Sequence, residues 1–375
     1  MRIFAIVILC LGLALTGCAS GPRSEVGLAD RVAAQPVGFA GVRFTVDTEP
    51  EARRLIDWIG GNVPVGPDGR LDLLALSGGG ANGAFAAGVI NGWTATGTRP
   101  DFEIVTGVST GALAAPFVFL GPEWDDALRE AYTSGQASDL LRSRGLGALV
   151  GSGVFSGEPL RELVERYVDQ ALLDAVAAEH RRGRLLLVAT TDLDLERGVV
   201  WNMGAIAVEG GLGALPLFRD VLIASASVPG VFPPVLISAE GPGGVFEEMH
   251  VDGGVLNSFI ALPEALWAWE GPADAMAGAR VHVIINGKAR SGFRVTRDAP
   301  VAVLSRSLDA MMKAEVRSNL AGNRAFARRH GLEFRAAVIP DSVDIGNGFD
   351  FSPETMRLIY ELGYFRAVSG EAWTD

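Results

Sequence analysis

Thiols are nearly absent from this chain. Its 375 residues include two cysteines, Cys10 and Cys18, both close to the N-terminus. The body beyond them therefore has no disulfide framework and no cysteine-based metal site. Histidine is almost as scarce, with His180, His250, His282 and His330 the full set of four. Basic charge is in deficit, with 32 Lys and Arg against 44 Asp and Glu and a formal net charge of -12. That balance argues against nucleic acid as a partner, because phosphate binding needs clustered cations. It also argues against membrane attachment driven by basic patches. There is no internal repeat, no low-complexity tract and no linker after residue 70 that would split the body. What is abundant is apolar residues (49%) and glycine (48 residues), enough for a sizeable core with many tight turns.

The N-terminus offers another route to a membrane. Arg2 is followed by an apolar run from Ile3 to Leu15. That run is shorter than the roughly 20 residues a spanning helix needs and suits the apolar part of a secretory signal. Leu15-Thr16-Gly17-Cys18 resembles a bacterial lipobox. The resemblance implies cleavage before Cys18 and lipidation of its thiol; the alternative is a buried N-terminal helix with an incidental cysteine. Ala19 rather than Asp after the cysteine implies, by likeness to Gram-negative lipoproteins, a periplasm-facing anchor in the outer membrane of the cell envelope. The expected layout is a signal peptide at 1–17, then the lipidated cysteine, a tether and a short helix at 18–68. An enzyme body follows at 69–370.

Within the body, short apolar strands alternate with helices of small residues. Strands are expected at 71–76, 104–105, 185–190, 199–203, 248–251, 281–285 and 334–339. Helices are expected at 49–59, 84–94, 159–180, 218–228, 300–330 and 352–364. The alternation predicts an α/β layered fold with a largely parallel central sheet flanked by helices.

Gly107-Val108-Ser109-Thr110-Gly111 lies between a strand and a helix. Gly-x-Ser-x-Gly in that setting is the mark of a nucleophile elbow, a strained turn that holds a serine hydroxyl out from the sheet. A glycine-rich chain can supply the pentapeptide by chance, so its company decides. One βαβ step earlier stands Gly78-Gly79-Gly80-Ala81-Asn82-Gly83, also between strand and helix. Free backbone N–H groups there, with the helix dipole, can converge on a developing negative charge. Gly78, Gly80 and Gly83 also fit a dinucleotide fingerprint. That reading wants an acid at the end of the next strand, whereas Asp101 and Glu103 precede its apolar part. A general base is harder to find, because none of the histidines sits in a glycine-rich presenting loop. Asp252-Gly253-Gly254 does look like one, with a carboxylate at a strand end and two glycines for a tight turn.

These blocks resemble the patatin-like phospholipase family, in order: the glycine loop at 78–83, the elbow at 107–111, and Asp252-Gly253-Gly254. Between the last two, Ala224-Ser225 through Pro229 to Phe232-Pro233-Pro234 matches a further stretch of that family. The resemblance implies a serine acyl hydrolase in which Asp252 accepts the proton of Ser109 and the loop holds the oxyanion. No metal or cofactor is implied, and the substrate is a phospholipid or other long-chain acyl ester. One departure is Asn82, where most members carry Arg. Alternative readings are a general carboxylesterase or thioesterase with the same two residues, or a non-catalytic lipoprotein that binds lipid or a partner.

His250, two residues before Asp252, shares its strand face. It is either an auxiliary base or a satisfied histidine beneath the site. Asp192, Asp194 and Glu196 are read as a solvated turn rather than metal ligands, and His180 as a solvent-facing helix end. Trp267 and Trp269 are read as packing residues, and Arg328-Arg329 as a solvated helix end. The apolar stretch from Leu146 to Phe155 is either a flap over an acyl pocket or a buried connection.

Overall fold

The computed structural model describes residues 23, 25–141, 153–271, 273–290, 292–293, 295–298, 300–345 and 348–374. The expected signal peptide, Cys18 and most of the 146–155 stretch lie outside them.

The strands, in chain order, are β1 Gln35–Pro36, β2 Arg43–Phe44, β3 Asp72–Leu76, β4 Ile104–Val108, β5 Leu185–Asp192, β6 Arg197–Asn202, β7 Val235–Gly241, β8 Gly244–Asp252, β9 Arg280–Ile285, β10 Glu333–Val338 and β11 Trp373–Thr374. They form one sheet in the order β1-β7-β8-β5-β4-β3-β9-β10-β11, with β6 also on β5 and β2 on β6. The middle, β5-β4-β3-β9-β10, is parallel, and antiparallel pairs complete both sides. This is the mixed α/β fold expected from the alternation of strand and helix patterns.

Both faces of the central strands are covered, so their residues are buried without alternation. All five residues of β3 and of β4 are buried. Leu74, Leu76 and Val105 pack into one core with the helices Ala84–Ala95 and Thr110–Leu120. Leu73, Ala75 and Ile104 pack into the other, with the helix Glu49–Asn62 and Phe259, Leu262 and Val281. Burial on both faces is the condition under which a parallel sheet is stable.

Several elements differ from the sequence reading. The helix expected at 159–180 is two, Glu158–Tyr167 and Gln170–Arg181. Asp169 breaks it by capping the second, its carboxylate accepting from the Leu172 N–H at 2.9 Å. The helix from Glu49 runs through Gly60-Gly61 to Asn62, started by a capping box of Thr48 and Glu51. The strand expected at 248–251 is the end of a long hairpin, β7–β8. Much of the expected tether is ordered: the helix Leu28–Ala33 leads to β1, and β1 and β2 join the sheet. An ion pair fixes this arm, with Arg43 bridging both carboxylate oxygens of the buried Glu248.

Candidate active site

The parallel strands β3, β4 and β9 end together, and the two glycine turns leave from that edge. Ser109 follows β4 at φ 56° and ψ -128°. This is a left-handed, strained conformation for a non-glycine residue, with a cost on the order of 1–3 kcal/mol. Close packing holds it there. A Cβ on Gly111 would lie 2.4 Å from the Leu76 carbonyl oxygen, so only glycine lets the helix Thr110–Leu120 start against β3. The Ser109 N–H donates to Ser225 Oγ at 3.0 Å, and Ser225 Oγ donates in turn to the Ala189 carbonyl at 2.7 Å. Ser225 thus ties the elbow to β5. Its Ala-Ser block was visible in sequence, but its partner was not.

Strand register brings Asp252 to the serine. On the β4 side of β5, Val108 pairs with Ala189 and is the last β4 residue. The next β5 residue, Thr190, pairs instead with Asp252 of β8. Asp252 therefore takes the place beside β5 that β4 vacates when the chain turns at Ser109. The carboxylate is 4% exposed and the serine 6%. Asp252 Oδ1 accepts from the Gly254 N–H at 2.7 Å, the Thr191 hydroxyl donates to its backbone carbonyl at 3.1 Å, and Oδ2 has no hydrogen bond of full geometry among the described residues. Burial pushes the Asp252 pKa up to about 7, while the nearby Ser109 hydroxyl and the Gly254 N–H pull it down. A carboxylate so placed is a far stronger base at neutral pH than an exposed aspartate.

The loop at 78–83 runs against Ser109. A Cβ on Gly78 would lie 3.1 Å from that of Ser109. Gly79 and Gly80 adopt φ of 157° and 59°, and a Cβ on either would stand 2.1 Å from a backbone oxygen, of Asn286 and Gly348 respectively. The Gly78 N–H is used by the Ser258 carbonyl and the Ala81 N–H by that of Gly348. Those of Gly79 and Gly80 bond no other described residue. Asn82 is buried, and its Oδ1 has no hydrogen-bond partner among the described residues.

His250 is fully buried. Its Nδ1 faces Thr190 Oγ1 at 3.0 Å and its Nε2 faces Glu248 Oε2 at 3.3 Å. It is the satisfied histidine of the two readings, one strand position below the site. The solvated-turn reading fails for Asp192, which is 2% exposed and lies with Glu248 and His250 in a buried cluster. Arg43 occupies both oxygens of Glu248 and both His250 nitrogens are engaged, so neither residue offers a free ligand atom. The Arg43 guanidinium and His250 hold the Glu248 pKa down at about 2 despite burial. Asp194 is ion-paired to Arg23 and Arg31. His180 is half-buried, with Nδ1 on the Arg184 carbonyl at 3.1 Å, rather than facing solvent. Trp267 and Trp269 are packing residues, Trp269 stacked on His330. Arg329 caps the Trp267 and Trp269 carbonyls.

An apolar pocket opens beside the serine. Gly80 and Thr110 form its inner end, and Leu113, Phe117, Tyr167 and Met356 are among its walls. In the sequence these residues read only as helix stripes.

Fold and comparison together mark an ester-hydrolysing enzyme built on a mixed α/β sheet. A family model described as patatin-like phospholipase matches residues 74–265, just over half of the chain, and the chain belongs to that family. Among solved structures it is similar to VipD from Legionella pneumophila, with 14% identity, 84% of this chain and 70% of that one covered, and a TM-score of 0.43. The type III effector protein ExoU is similar at 13% identity, with 80% and 52% covered and a TM-score of 0.34. Curated protein sequences give no match.

Proposed function

We propose that the protein is a membrane-anchored lipid acyl hydrolase that cleaves acyl esters with Ser109 and Asp252 and the backbone of residues 78–83. The observation that carries this reading is the register of β4, β8 and β5, which sets the buried Asp252 beside Ser109. As Ser109 Oγ bonds to the acyl carbon, Asp252 takes its proton. The carbonyl oxygen becomes an oxyanion facing the Gly79 and Gly80 N–H groups, each such donor being worth about 3 kcal/mol of barrier. The tetrahedral adduct expels the alcohol, which leaves with the proton from Asp252. A water then attacks the acyl-serine and gives its proton to Asp252, which returns it to Ser109 Oγ as the adduct collapses and the fatty acid leaves. The apolar pocket supports a long acyl chain over a short one. Lipidation of Cys18 would hold the enzyme at the bilayer.

A fluorophosphonate probe tests the assignment. Wild-type protein is expected to label and Ser109→Ala not to. Asp252→Asn should lower hydrolysis of a long-chain p-nitrophenyl ester at least a thousandfold while the protein stays folded. Equal labelling of wild type and Ser109→Ala rejects the reading.

A further inference from the structure

Three observations at one edge of the sheet point to the same partner. The first is where the chain emerges. Arg23 is held by the Asp194 carboxylate and the Glu247 carbonyl. Asp194 lies two residues past the end of β5 and four past Thr190, the register partner of Asp252. At strand rise it stands about 13 Å beyond the site, on the same edge. Cys18 precedes Arg23 by five residues and can reach no further than about 17 Å from it. A fold of this length has a radius of gyration of about 21 Å, so the anchor is confined to the active-site end.

The second observation is a local reversal of charge. The net charge is -12, yet residues 288–297 include Lys288, Arg290, Arg294 and Arg297 and no acid, with Asp298 next in the chain and Asp341 paired to Arg290 at 3.7 Å. This segment leaves β9 just beyond Asn286, whose carbonyl oxygen abuts Gly79. The third is exposure of apolar side chains around the same mouth. Phe293 is 96% and Val295 79% exposed, and Val255 and Leu256, directly after the Asp252 turn, are 45% and 39% exposed. Cations interleaved with an exposed aromatic and aliphatic residues suit the headgroup boundary of a bilayer.

We infer that this edge docks face-down on the bilayer that holds the Cys18 anchor, with Phe293 and Val295 entering the interface beside the oxyanion loop. Ser109 then draws its substrate from the enzyme's own membrane. The inference rests on the lipid acyl hydrolase reading above and on lipidation of Cys18.

The test uses the full lipidated chain in vesicles of phosphatidylethanolamine and phosphatidylglycerol whose acyl chains carry a doxyl quencher. Cys18 is blocked by its lipid and the mature body has no other thiol, so Phe293→Cys takes a single fluorophore. Leu212→Cys is the control. Leu212 is fully exposed, and it precedes the helix Ala214–Ser225, whose far end reaches Ser109. It therefore stands about 18 Å along that helix from the site. Quenching at 293 at least threefold stronger than at 212 is expected, with hydrolysis confined to vesicles that carry the protein. Equal quenching at both sites, or none at 293, overturns the docking. Equal hydrolysis of separately added vesicles overturns it as well. Fluorophosphonate labelling of Ser109 in the same samples keeps the readings apart. Labelling without quenching at 293 removes the docking alone, and quenching without labelling removes the hydrolase assignment, on which the docking rests.

Discussion

Asp252 carries the most consequential perturbation at the residue scale. Its folded pKa of about 7 lies above the ordinary 3.8 because burial penalises the charged form. In the proposed mechanism it acts as the base and must be ionised, so hydrolysis is expected to fall about tenfold per pH unit below roughly pH 7. Stability moves the other way. The folded state holds this proton more tightly than the unfolded chain, so stability is highest below about pH 4 for this group. It is lost as pH rises towards 7, by up to about 4 kcal/mol. Wild type and Asp252→Asn should therefore differ least in favour of wild type at pH 8 and most at pH 4, measured by urea unfolding. An unchanged difference across that range would remove the buried-base account. The sequence named Ser109 and Asp252 because their glycine neighbours announce turns. It showed Ser225 only as part of a matching block and not its partners, the Ala189 carbonyl and the Ser109 N–H.

At the scale of elements, strand and helix types along the body followed from apolar runs punctuated by glycine. Boundaries were lost where a single side chain set them, as Asp169 does. The hairpin β7–β8 was missed for another reason. Its alternating burial begins straight after Pro233-Pro234 and turns at Gly241–Gly244, residues that read as loop. The pocket was illegible because its walls come from distant helices, each with an ordinary apolar stripe. Gly83 shows how tightly the two active-site turns pack. A Cβ there would lie 2.1 Å from Thr110 Oγ1 and 2.8 Å from Tyr132, whose hydroxyl donates to the Thr110 carbonyl at 2.6 Å. Gly83→Ala is expected to cost about 1–3 kcal/mol by overpacking and to lower kcat more than it raises KM, because the strain falls on the residue after Ser109. Adding Thr110→Ala, which removes the clashing oxygen and methyl, should recover more than half of the lost stability. Simple additivity of the two changes in a thermal-unfolding cycle would show that the contact does not couple them.

For the molecule as a whole, length allowed one large α/β domain or two small ones, and the run of strands read as a body from about residue 70. Residues 28–44 read as tether because they are short, mixed in polarity and rich in Gly and Pro. What orders them is remote. Arg43 reaches Glu248 across 205 positions, and its guanidinium also sits over the Trp201 ring. The pair is buried, with Glu248 1% and Arg43 9% exposed. Removing one partner leaves an uncompensated charge, so Arg43→Met is expected to cost about 3–5 kcal/mol at pH 7. The sign with pH follows from Glu248, whose folded pKa of about 2 lies below the ordinary 4.5. Its contribution is complete above about pH 4.5 and is lost as pH falls towards 2. The gap between wild type and Arg43→Met should therefore narrow on acidification, measured by chemical unfolding at pH 7 and pH 3. A gap that stays constant would mean that Arg43 acts by packing on Trp201 rather than by charge. The same variant bears on catalysis, because Glu248 precedes Asp252 by four residues in β8. If the arm only stabilises the sheet, ester hydrolysis by the folded fraction keeps its pH midpoint near 7. A shifted midpoint would show that the Arg43 pair sets the field in which Asp252 titrates.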